Sequence, residues 1–309
     1  MAKYILYRLV AAVPVVFGVT LLVFVMVRLV PGDPVSLMFA NVAPPTPEER
    51  ASIRHQWGLD RPIYEQYLRF LANAAHGDLG QSYRSRQPVR EEIASRFPNT
   101  VKLTMASLAI ALVIGVAAGI LAAAFKGTWI DGASMLVAVF GVSIPGFWLG
   151  LMFILLFAVR LGWFPVAGAG GWRHLVLPAA TLGVLSSAVL ARLTRSSMLE
   201  ALSNDYVRTA RAKGLAESVV VLRHALRNAL IPIVTIVGLQ IGGLLSGAFI
   251  IEAVFGYPGI GLLAVKALQT RDFPVIQGVV LLVALIYVGV NLLVDVLYGL
   301  IDPRIGSAE

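Results

Sequence analysis

The chain has 309 residues, of which 58% are hydrophobic and only 14% are charged. Soluble domains are typically about 45–50% apolar and about 25% charged, so this composition excludes an ordinary soluble protein and indicates one integral to a membrane. The net charge of +8 is typical of basic residues that flank membrane spans and does not indicate a nucleic-acid partner. The absence of cysteine excludes disulfides, thiolate metal sites and cysteine nucleophiles.

A membrane-spanning helix needs roughly 20 apolar residues, and six stretches of the chain meet this requirement. Each is predicted to be a helix, because unpaired backbone groups are too costly in hydrocarbon and the alternation of barrel strands is absent. The predicted fold is therefore an all-α membrane protein with six transmembrane helices. They cover about residues 9–30, 101–125, 133–159, 175–193, 229–251 and 275–300.

The first of these stretches resembles a signal peptide, because Lys3 and Arg8 precede the apolar run Leu9–Val30. That run has 22 residues, which is longer than the apolar region of a signal peptide, and no small-x-small cleavage site follows it. It is therefore predicted to be an uncleaved first span.

The short loops predict the orientation, because cytoplasmic loops carry an excess of lysine and arginine. With the N-terminus inside, the inner segments hold eleven basic residues and the short outer loops hold four, which places both termini in the cytoplasm. The inner set is Lys3, Arg8, Lys126, Arg192, Arg195, Arg208, Arg211, Lys213, Arg223, Arg227 and Arg304, and the outer set is Arg160, Arg173, Lys266 and Arg271.

The long outer segment, residues 31–99, is predicted to form three short helices. It carries eight basic and eight acidic residues, so its charges do not bear on the orientation. Thr46-Pro47-Glu48-Glu49 is a capping box with proline at the first helical position, and Gly58 is expected to end that helix.

The other two outer helices are expected to begin after prolines. Pro88 begins Val89–Arg96, which Pro98 is predicted to break, so that Asn99 or Thr100 caps the second span. The segment is interpreted either as a lid over helix ends or as a platform that meets a binding protein. The helix between Pro62 and Gly77 is expected to place its apolar residues on one side: Ile63, Tyr67, Phe70, Leu71 and Ala74.

The second and third spans are rich in small residues, which allow helices to approach closely inside a membrane. Pro145, Pro178 and Pro232 lie within or at the starts of spans, where they can kink a helix. These features indicate either helix packing alone or breaks that shape a translocation path. The small residues are Ala117, Ala118, Gly119, Ala122, Ala123, Gly141, Ser143, Gly146 and Gly150.

A short basic segment, residues 204–215, separates the fourth and fifth spans. It is predicted to be one helix that Asn204 or Asp205 caps and that Gly214 ends in a left-handed conformation. Because it is too short to span a bilayer and too charged to be buried in one, we expect it to lie on the cytoplasmic face and dock on a partner.

Two further stretches carry distinctive patterns. The glycine-rich run Phe255–Leu263 has no lysine placed for phosphate and is not a P-loop, so it is interpreted as a tight turn into an interfacial helix. Four polar residues of the last span are spaced to share one helix face. They indicate either an ion pair with an arginine of the basic loop or a functional intramembrane site. This stripe is Asn291, Asp295, Tyr298 and Asp302.

Catalytic motifs are absent from the sequence. It contains no G-x-x-x-x-G-K-[ST], no H-E-x-x-H and no G-x-S-x-G, and its four histidines are scattered. The chain is therefore predicted not to be an enzyme, and to bind no metal and no cofactor. It is expected to be a conduit, a receptor or a scaffold.

Several motifs, in order and over essentially the whole chain, resemble the inner-membrane permease subunits of ATP-binding-cassette (ABC) importers. The branch most similar transports peptides and nickel and includes the dipeptide and glutathione permeases. The matching stretches are Tyr7-Arg8-Leu9, Leu29–Pro34, Gly58–Pro62 followed by Gln66-Tyr67, Gly77–Gly80, Asp205–Leu215, Pro258–Gly261, and Asp295 with Asp302–Arg304.

The resemblance implies the type I importer permease fold. Residues 1–30 would hold the N-terminus and first span, 31–99 the extracytoplasmic helical loop, 100–300 a five-span core with its coupling loop at 195–228, and 301–309 the cytoplasmic C-terminus. The coupling helix of this family carries a Glu-Ala-Ala-x-x-x-Gly pattern, from which Arg208 and Thr209 depart. The implied ATPase contacts are Asp205, Tyr206, Arg208, Thr209, Ala210, Arg211, Lys213, Gly214 and Leu215, with Val207 as a further apolar anchor.

The resemblance also implies partners and a mechanism. A second, related permease subunit, two ABC ATPase subunits and an extracytoplasmic substrate-binding protein would complete the importer in the bacterial inner membrane. ATP and magnesium would be used by the ATPases, and the permease would alternate its access. The implied substrates are dipeptides, oligopeptides or glutathione, with nickel or another small solute as the alternative.

Three other classes of protein are alternatives. A secondary transporter or channel is disfavoured because the first five spans have almost no central charge. An intramembrane enzyme is disfavoured by the missing motifs, and a structural scaffold is the third alternative.

Overall fold

The computed structural model describes residues 2–29, 35 and 46–301, and within these ranges the regular structure is helical apart from an isolated bridge between Gln81 and Pro88. The helices are α1 (Ala2–Leu29), α2 (Pro47–Gln56), α3 (Ile63–Ala75), α4 (Val89–Ala124), α5 (Trp129–Ser143), α6 (Gly146–Phe153, continued by a π-helical turn Ile154–Arg160), α7 (Trp172–Ser203), α8 (Asp205–Ala212), α9 (Glu217–Val219, continued by a π-helical turn Val220–Ala225), α10 (Leu226–Gly247), α11 (Phe249–Val254), α12 (Ile260–Thr270) and α13 (Phe273–Ile301).

Three helices, α4, α7 and α13, are long and apolar enough to cross a membrane in the described part of the chain. Two bent pairs raise the number of candidate spans to five. One is formed by α5 with α6, and the other by Glu217–Leu230 with Pro232–Leu245, so that its bend falls inside α10. The apolar part of α1, Val10–Met26, is shorter than these. The observed helices therefore agree with the predicted all-α class, and the number of six spans stays a prediction.

The break predicted at Pro98 is wrong, because α4 continues through this residue from Val89 to Ala124. A proline inside a helix costs about 3 kcal/mol. The helix is held on the far side of the proline by Val89 and Ile93, which are buried in a cluster with Ile260 and Val279. Burying such side chains stabilises by roughly 1.5–3 kcal/mol each, which offsets the cost of the proline.

The third predicted span, 133–159, is not one continuous helix. Helices α5 and α6 meet at 102° because Ile144 and Pro145 adopt extended backbone between them. Pro145 therefore breaks this stretch. Pro178 lies inside α7. Pro232 lies inside α10, where the helix bends by 53° between Leu230 and Pro232.

Helices α4 and α7 pack closely side by side through glycines. A Cβ atom on Gly115 would lie 2.7 Å from the Cβ of Leu190, and one on Gly119 would lie 2.5 Å from the Cβ of Thr194. Gly183 meets Ile110 in the same way. The numbers of the contacting residues rise together along α4 and α7, so the two helices are parallel. Their C-terminal ends therefore lie at one end of the bundle, and Val89 lies at the other. The small-residue packing predicted for this region is confirmed at Gly119.

The segment between α1 and α4 contains the expected helices. Thr46 forms the predicted capping box with Glu49, and Gly58 and Gly77 follow their helices with positive φ of 65° and 79°. The predicted apolar side of α3 is only partly packed, because Tyr67 is buried whereas Ile63, at the start of the helix, is 60% exposed.

Candidate functional site

The basic segment forms the predicted helix, α8, and its left-handed end at Gly214 has φ +75°. The expected N-terminal cap is not made by Asn204, whose side chain makes no capping bond to α8. Its amide donates instead to the carbonyl oxygen of Glu200, at 3.0 Å, and so closes the end of α7. Asn204 therefore stabilises the sharp turn between α7 and α8 by capping the end of α7 and not the start of α8.

One face of α8 is buried against the rest of the chain. Val207 and Ala210 form a small cluster with Val220 and the partly buried Leu202. Because Val207 is fully buried, the prediction that it anchors a partner is wrong. It holds α8 to its own subunit, as Ala210 does.

The other predicted contact residues of the segment are exposed: Asp205, Tyr206, Arg208, Thr209, Arg211, Lys213, Gly214 and Leu215. Arg211 donates two hydrogen bonds to the carboxylate of Glu217, at 2.6 and 3.1 Å, and so its charge is compensated. This contact holds the pKa of Glu217 below its usual range. Arg208 lies 3.8 Å from Asp205, but both side chains are highly exposed, and such pairs contribute little. Within the described ranges Lys213 has no partner.

The end of α7 joins α8 to the bundle. Met198 and Ala201 near this end are buried with Val221, Ala225 and Ala123, the last of which is at the end of α4. Helix α8 therefore sits on a packed base, so that a displacement of α8 would be transmitted to α4 and α7.

An ion pair that the sequence does not reveal ties α5 to α7 just before α8. The guanidinium of Arg195 donates to both carboxylate oxygens of Asp131, at 2.6 and 2.8 Å, and the backbone N–H of Gly127 donates at 3.0 Å. Asp131 is buried, and these bonds lower its pKa to about 2. The two residues are 64 positions apart, so only the packing of α5 on α7 brings them together.

We expect this pair to make stability depend on acid pH. The ordinary pKa of 3.8 falls to about 2 in the folded state, so the stabilisation is complete above the unfolded value and is lost as the pH falls through the folded value. In detergent, the unfolding temperature should drop between about pH 4 and about pH 2. Asp131→Asn should abolish that component of the drop, and the exchange Asp131→Arg with Arg195→Asp should restore part of the stability lost in either single variant. An unchanged profile in Asp131→Asn would contradict the assignment.

At the opposite end of the bundle, the carboxylate of Glu252 organises the glycine-rich turn. Glu252 is fully buried and accepts hydrogen bonds from the hydroxyl of Thr100, at 2.7 Å, and from the backbone N–H groups of Gly261 and Leu262, at 2.7 and 3.1 Å. The Thr100 hydroxyl in turn accepts from the N–H of Ile260 at 2.8 Å. The carboxylate thus joins α4, α11 and the start of α12.

The glycines of this turn are required by close approach. A Cβ on Gly259 would meet the Glu252 carboxylate within 2.3 Å, and one on Gly261 would lie 2.4 Å from the Cα of Phe249. The predicted turn into helix α12 is confirmed. Asn99 and Thr100 lie inside α4, so neither caps the start of a span. Asn99 donates to the carbonyl oxygen of Pro258 instead, at 3.0 Å.

A second buried carboxylate attaches the outer segment to the same end. Asp272 accepts from the hydroxyl of Ser82, at 2.5 Å, and from the backbone N–H groups of Tyr83 and Arg84, at 3.1 and 3.3 Å. Tyr83 stacks on Trp57, with ring centroids 4.2 Å apart. The described residues 46–88 of this segment are therefore folded against the rest of the chain rather than a loose connection.

The predicted polar stripe falls largely outside the described side chains. Asn291 is half-buried in α13. The side chains of Asp295 and Tyr298, and the whole of Asp302, lie outside the described part. The stripe therefore stays a prediction.

Comparison with protein families gives two matches that together cover most of the chain. Residues 115–307 match the family model described as binding-protein-dependent transport system inner membrane component. Residues 1–104 match the model of the N-terminal region of the membrane component of binding-protein-dependent transport systems.

Individual relatives agree with these matches, and solved structures share the fold. The chain is 48% identical to the glutathione transport system permease protein GsiC of Escherichia coli (strain K12) and to its counterpart in Shigella flexneri serotype 5b, over 99% of each chain. It resembles an inward-facing structure of the methionine ABC transporter MetNI with TM-score 0.55 and 20% identity, covering 66% of this chain and 95% of that one. An amino acid ABC transporter gives TM-score 0.52 and 18% identity, covering 69% and 94%. These structures show the fold alone.

Proposed function

Because the chain belongs to the family of binding-protein-dependent transport system inner-membrane components, as a multi-pass permease component of an ABC importer, we propose that α8 is the helix through which ATPase subunits drive it. The observation that carries this proposal is a short helix with a buried apolar face and an exposed polar face, joined to the packed ends of α4 and α7. Such a helix can receive a force on one side and pass it to the bundle on the other.

The nine proposed coupling residues divide by their surroundings. Ala210 and the adjacent Val207 hold α8 to its own subunit, while the exposed residues meet the ATPase. Lys213, which has no partner among the described residues, is available to an acidic partner, and Arg211 would have to leave Glu217 or share it. Tyr206 and Leu215, 38% and 40% exposed, are the apolar anchors of the contact.

We further propose six spans with both termini in the cytoplasm. The parallel packing of α4 and α7 supports this topology, since the second and fourth spans of such a chain run in the same direction. With this orientation α8 is cytoplasmic, and the Glu252 turn and the outer segment are extracytoplasmic. The stripe from Asn291 to Asp302 would then lie near the cytoplasmic interface, within reach of the basic loop.

The proposed machinery needs partners that supply energy and substrate. A second permease subunit completes the path, and two ABC ATPases bind ATP and magnesium and hydrolyse the nucleotide. A binding protein delivers substrate to the outer end. The permease itself forms the transport path and catalyses no reaction.

Dipeptides, oligopeptides or glutathione are the proposed substrates, because relatives 48% identical over their full length are named glutathione permeases. Nickel or another small solute is the alternative within the same machinery. A secondary transporter is the alternative outside it.

The test is uptake by vesicles that contain this chain, its partner permease and the two ATPases, supplied with the binding protein. We expect uptake of labelled glutathione or of a dipeptide that requires both ATP and the binding protein. A panel of peptides and nickel then identifies the substrate class. Uptake that follows an ion gradient and needs no ATP would overturn the proposal in favour of a secondary transporter.

A further inference from the structure

Helix α3 (Ile63–Ala75) has one broad apolar face, and only part of that face is packed. Tyr67 is buried against the rest of the chain. Ile63, Tyr64 and Leu68, at the start of the same face and on its flank, are 60%, 70% and 59% exposed. Three large apolar side chains in the first six residues of an otherwise amphipathic helix call for a partner.

The contacts of Tyr67 fix the level of α3 along α1. The Tyr67 hydroxyl donates to the carbonyl oxygen of Phe17 at 3.0 Å and lies 3.0 Å from the hydroxyl of Thr20. Its ring also packs on that of Phe24, with centroids 5.0 Å apart. Phe17, Thr20 and Phe24 all lie within the apolar stretch Val10–Met26 of α1.

This geometry limits how far α3 can lie from the hydrocarbon. A tyrosine side chain is shorter than two helical turns, and Met26 is about 9 Å beyond Thr20 along α1. The backbone of α3 at Tyr67 therefore lies beside the end of the apolar stretch and not in the solvent above it. Arg28 confirms the level, since its guanidinium donates to the side-chain oxygen of Gln66 at 2.6 Å.

We infer that α3 lies in the outer surface of the bilayer, with Ile63, Tyr64 and Leu68 inserted among the lipids. At the same level, α1 presents Leu22 and Met26, which are 56% and 58% exposed. A helix with one apolar face buried at the boundary of headgroups and acyl chains is the usual form of an interfacial anchor, and tyrosine is enriched at this depth.

The polar residues of α3 suit lipid headgroups. Glu65 pairs with Arg61 at 2.5 Å and lies 3.5 Å from Arg69, so the three residues leave one positive charge. Such a charge is attracted to lipid phosphates, and long arginine side chains reach the headgroups from a shallow helix. The inference rests on the proposed function in one respect, the placement of α1 as a membrane span.

The chain has no cysteine, so single cysteines can report depth directly. Leu68→Cys would carry an environment-sensitive fluorophore, with Leu22→Cys on α1 as the acyl-chain reference and Ser52→Cys, exposed on α2, as the water reference. Each variant is reconstituted, in the complete importer, into vesicles of phosphatidylethanolamine and phosphatidylglycerol. The quenchers are aqueous iodide and lipids spin-labelled near the headgroup or near the chain end.

We expect the label at residue 68 to lose most of its fluorescence to the shallow lipid quencher and little to iodide. The label at residue 22 should respond to lipid quenchers, and that at residue 52 to iodide. Iodide quenching at residue 68 equal to that at residue 52, without lipid quenching, would overturn the inference. Protection from iodide only after addition of the binding protein would also overturn it, and would identify a protein-docking face.

The same vesicles separate this inference from the proposed function. ATP-driven uptake with a water-exposed label at residue 68 would overturn only the lipid contact, whereas a lipid-quenched label in vesicles that take up substrate without ATP would overturn only the proposed function. Tyr64→Cys provides a second position on the same face if Leu68→Cys does not fold.

Discussion

Replacing Gly214 with glutamate should abolish ATP-driven uptake while the protein still inserts into the membrane. Gly214 ends α8 with φ +75°, its N–H bonds the carbonyl oxygen of Arg211 at 2.9 Å, and a Cβ there would meet nothing within 4 Å of its own chain. The added carboxylate would therefore project from the proposed contact surface and repel an acidic partner. Uptake into vesicles and co-purification of the ATPase subunits measure the effect, and both should fall at least tenfold, which corresponds to about 1.4 kcal/mol.

The control for this experiment separates backbone strain from the partner contact. A non-glycine residue in the left-handed conformation costs on the order of 1–2 kcal/mol, and Gly214→Ala carries that cost without the charge. Gly214→Asn suits the left-handed conformation better. If all three variants lost uptake equally, the defect would lie in the turn. If Gly214→Glu kept normal uptake, the assignment of α8 as the coupling helix would fail.

Replacing Glu252 with leucine should destabilise the protein more than replacing Gly214 or Asp131. The substitution leaves the Thr100 hydroxyl and the N–H groups of Gly261 and Leu262 without their acceptor in a buried site. Each unsatisfied buried donor costs about 1–3 kcal/mol, so the total is roughly 3 kcal/mol or more. Thermal unfolding of the detergent-purified protein and recovery of the folded fraction by gel filtration measure this loss.

Two further variants serve as comparisons for the stability of Glu252→Leu. Glu252→Gln keeps the shape and one carbonyl oxygen that both backbone N–H groups can share, so its loss should be smaller. Glu91→Leu removes a glutamate that is exposed on the first turn of α4, and surface changes of this kind typically stay within about 0.5 kcal/mol. Equal stability of Glu252→Leu and Glu91→Leu would show that the carboxylate does not hold the turn.

The sequence predicted well the features that depend on neighbours in the chain. The helical class follows from long apolar stretches, and the capping box at Thr46 and the left-handed ends at Gly58 and Gly214 follow from local backbone chemistry. Helix α8 (Asp205–Ala212) lies within the predicted segment, residues 204–215, for the same reason. Its partner-facing role came from the resemblance to a family, since local patterns do not identify a partner.

Only the tertiary structure decided the features that depend on contacts distant in sequence. Pro98 reads as a helix breaker, yet burial of Val89 and Ile93 against α12 and α13 carries α4 through it. The Asp131–Arg195 pair joins residues 64 apart, and Glu252 bonds a threonine 152 residues away. Local propensity amounts to a few tenths of a kcal/mol to about 3 kcal/mol per residue, which packing and buried hydrogen bonds can exceed. The sequence by itself therefore determined which segments are helices, and packing decided where they bend and which polar groups join them.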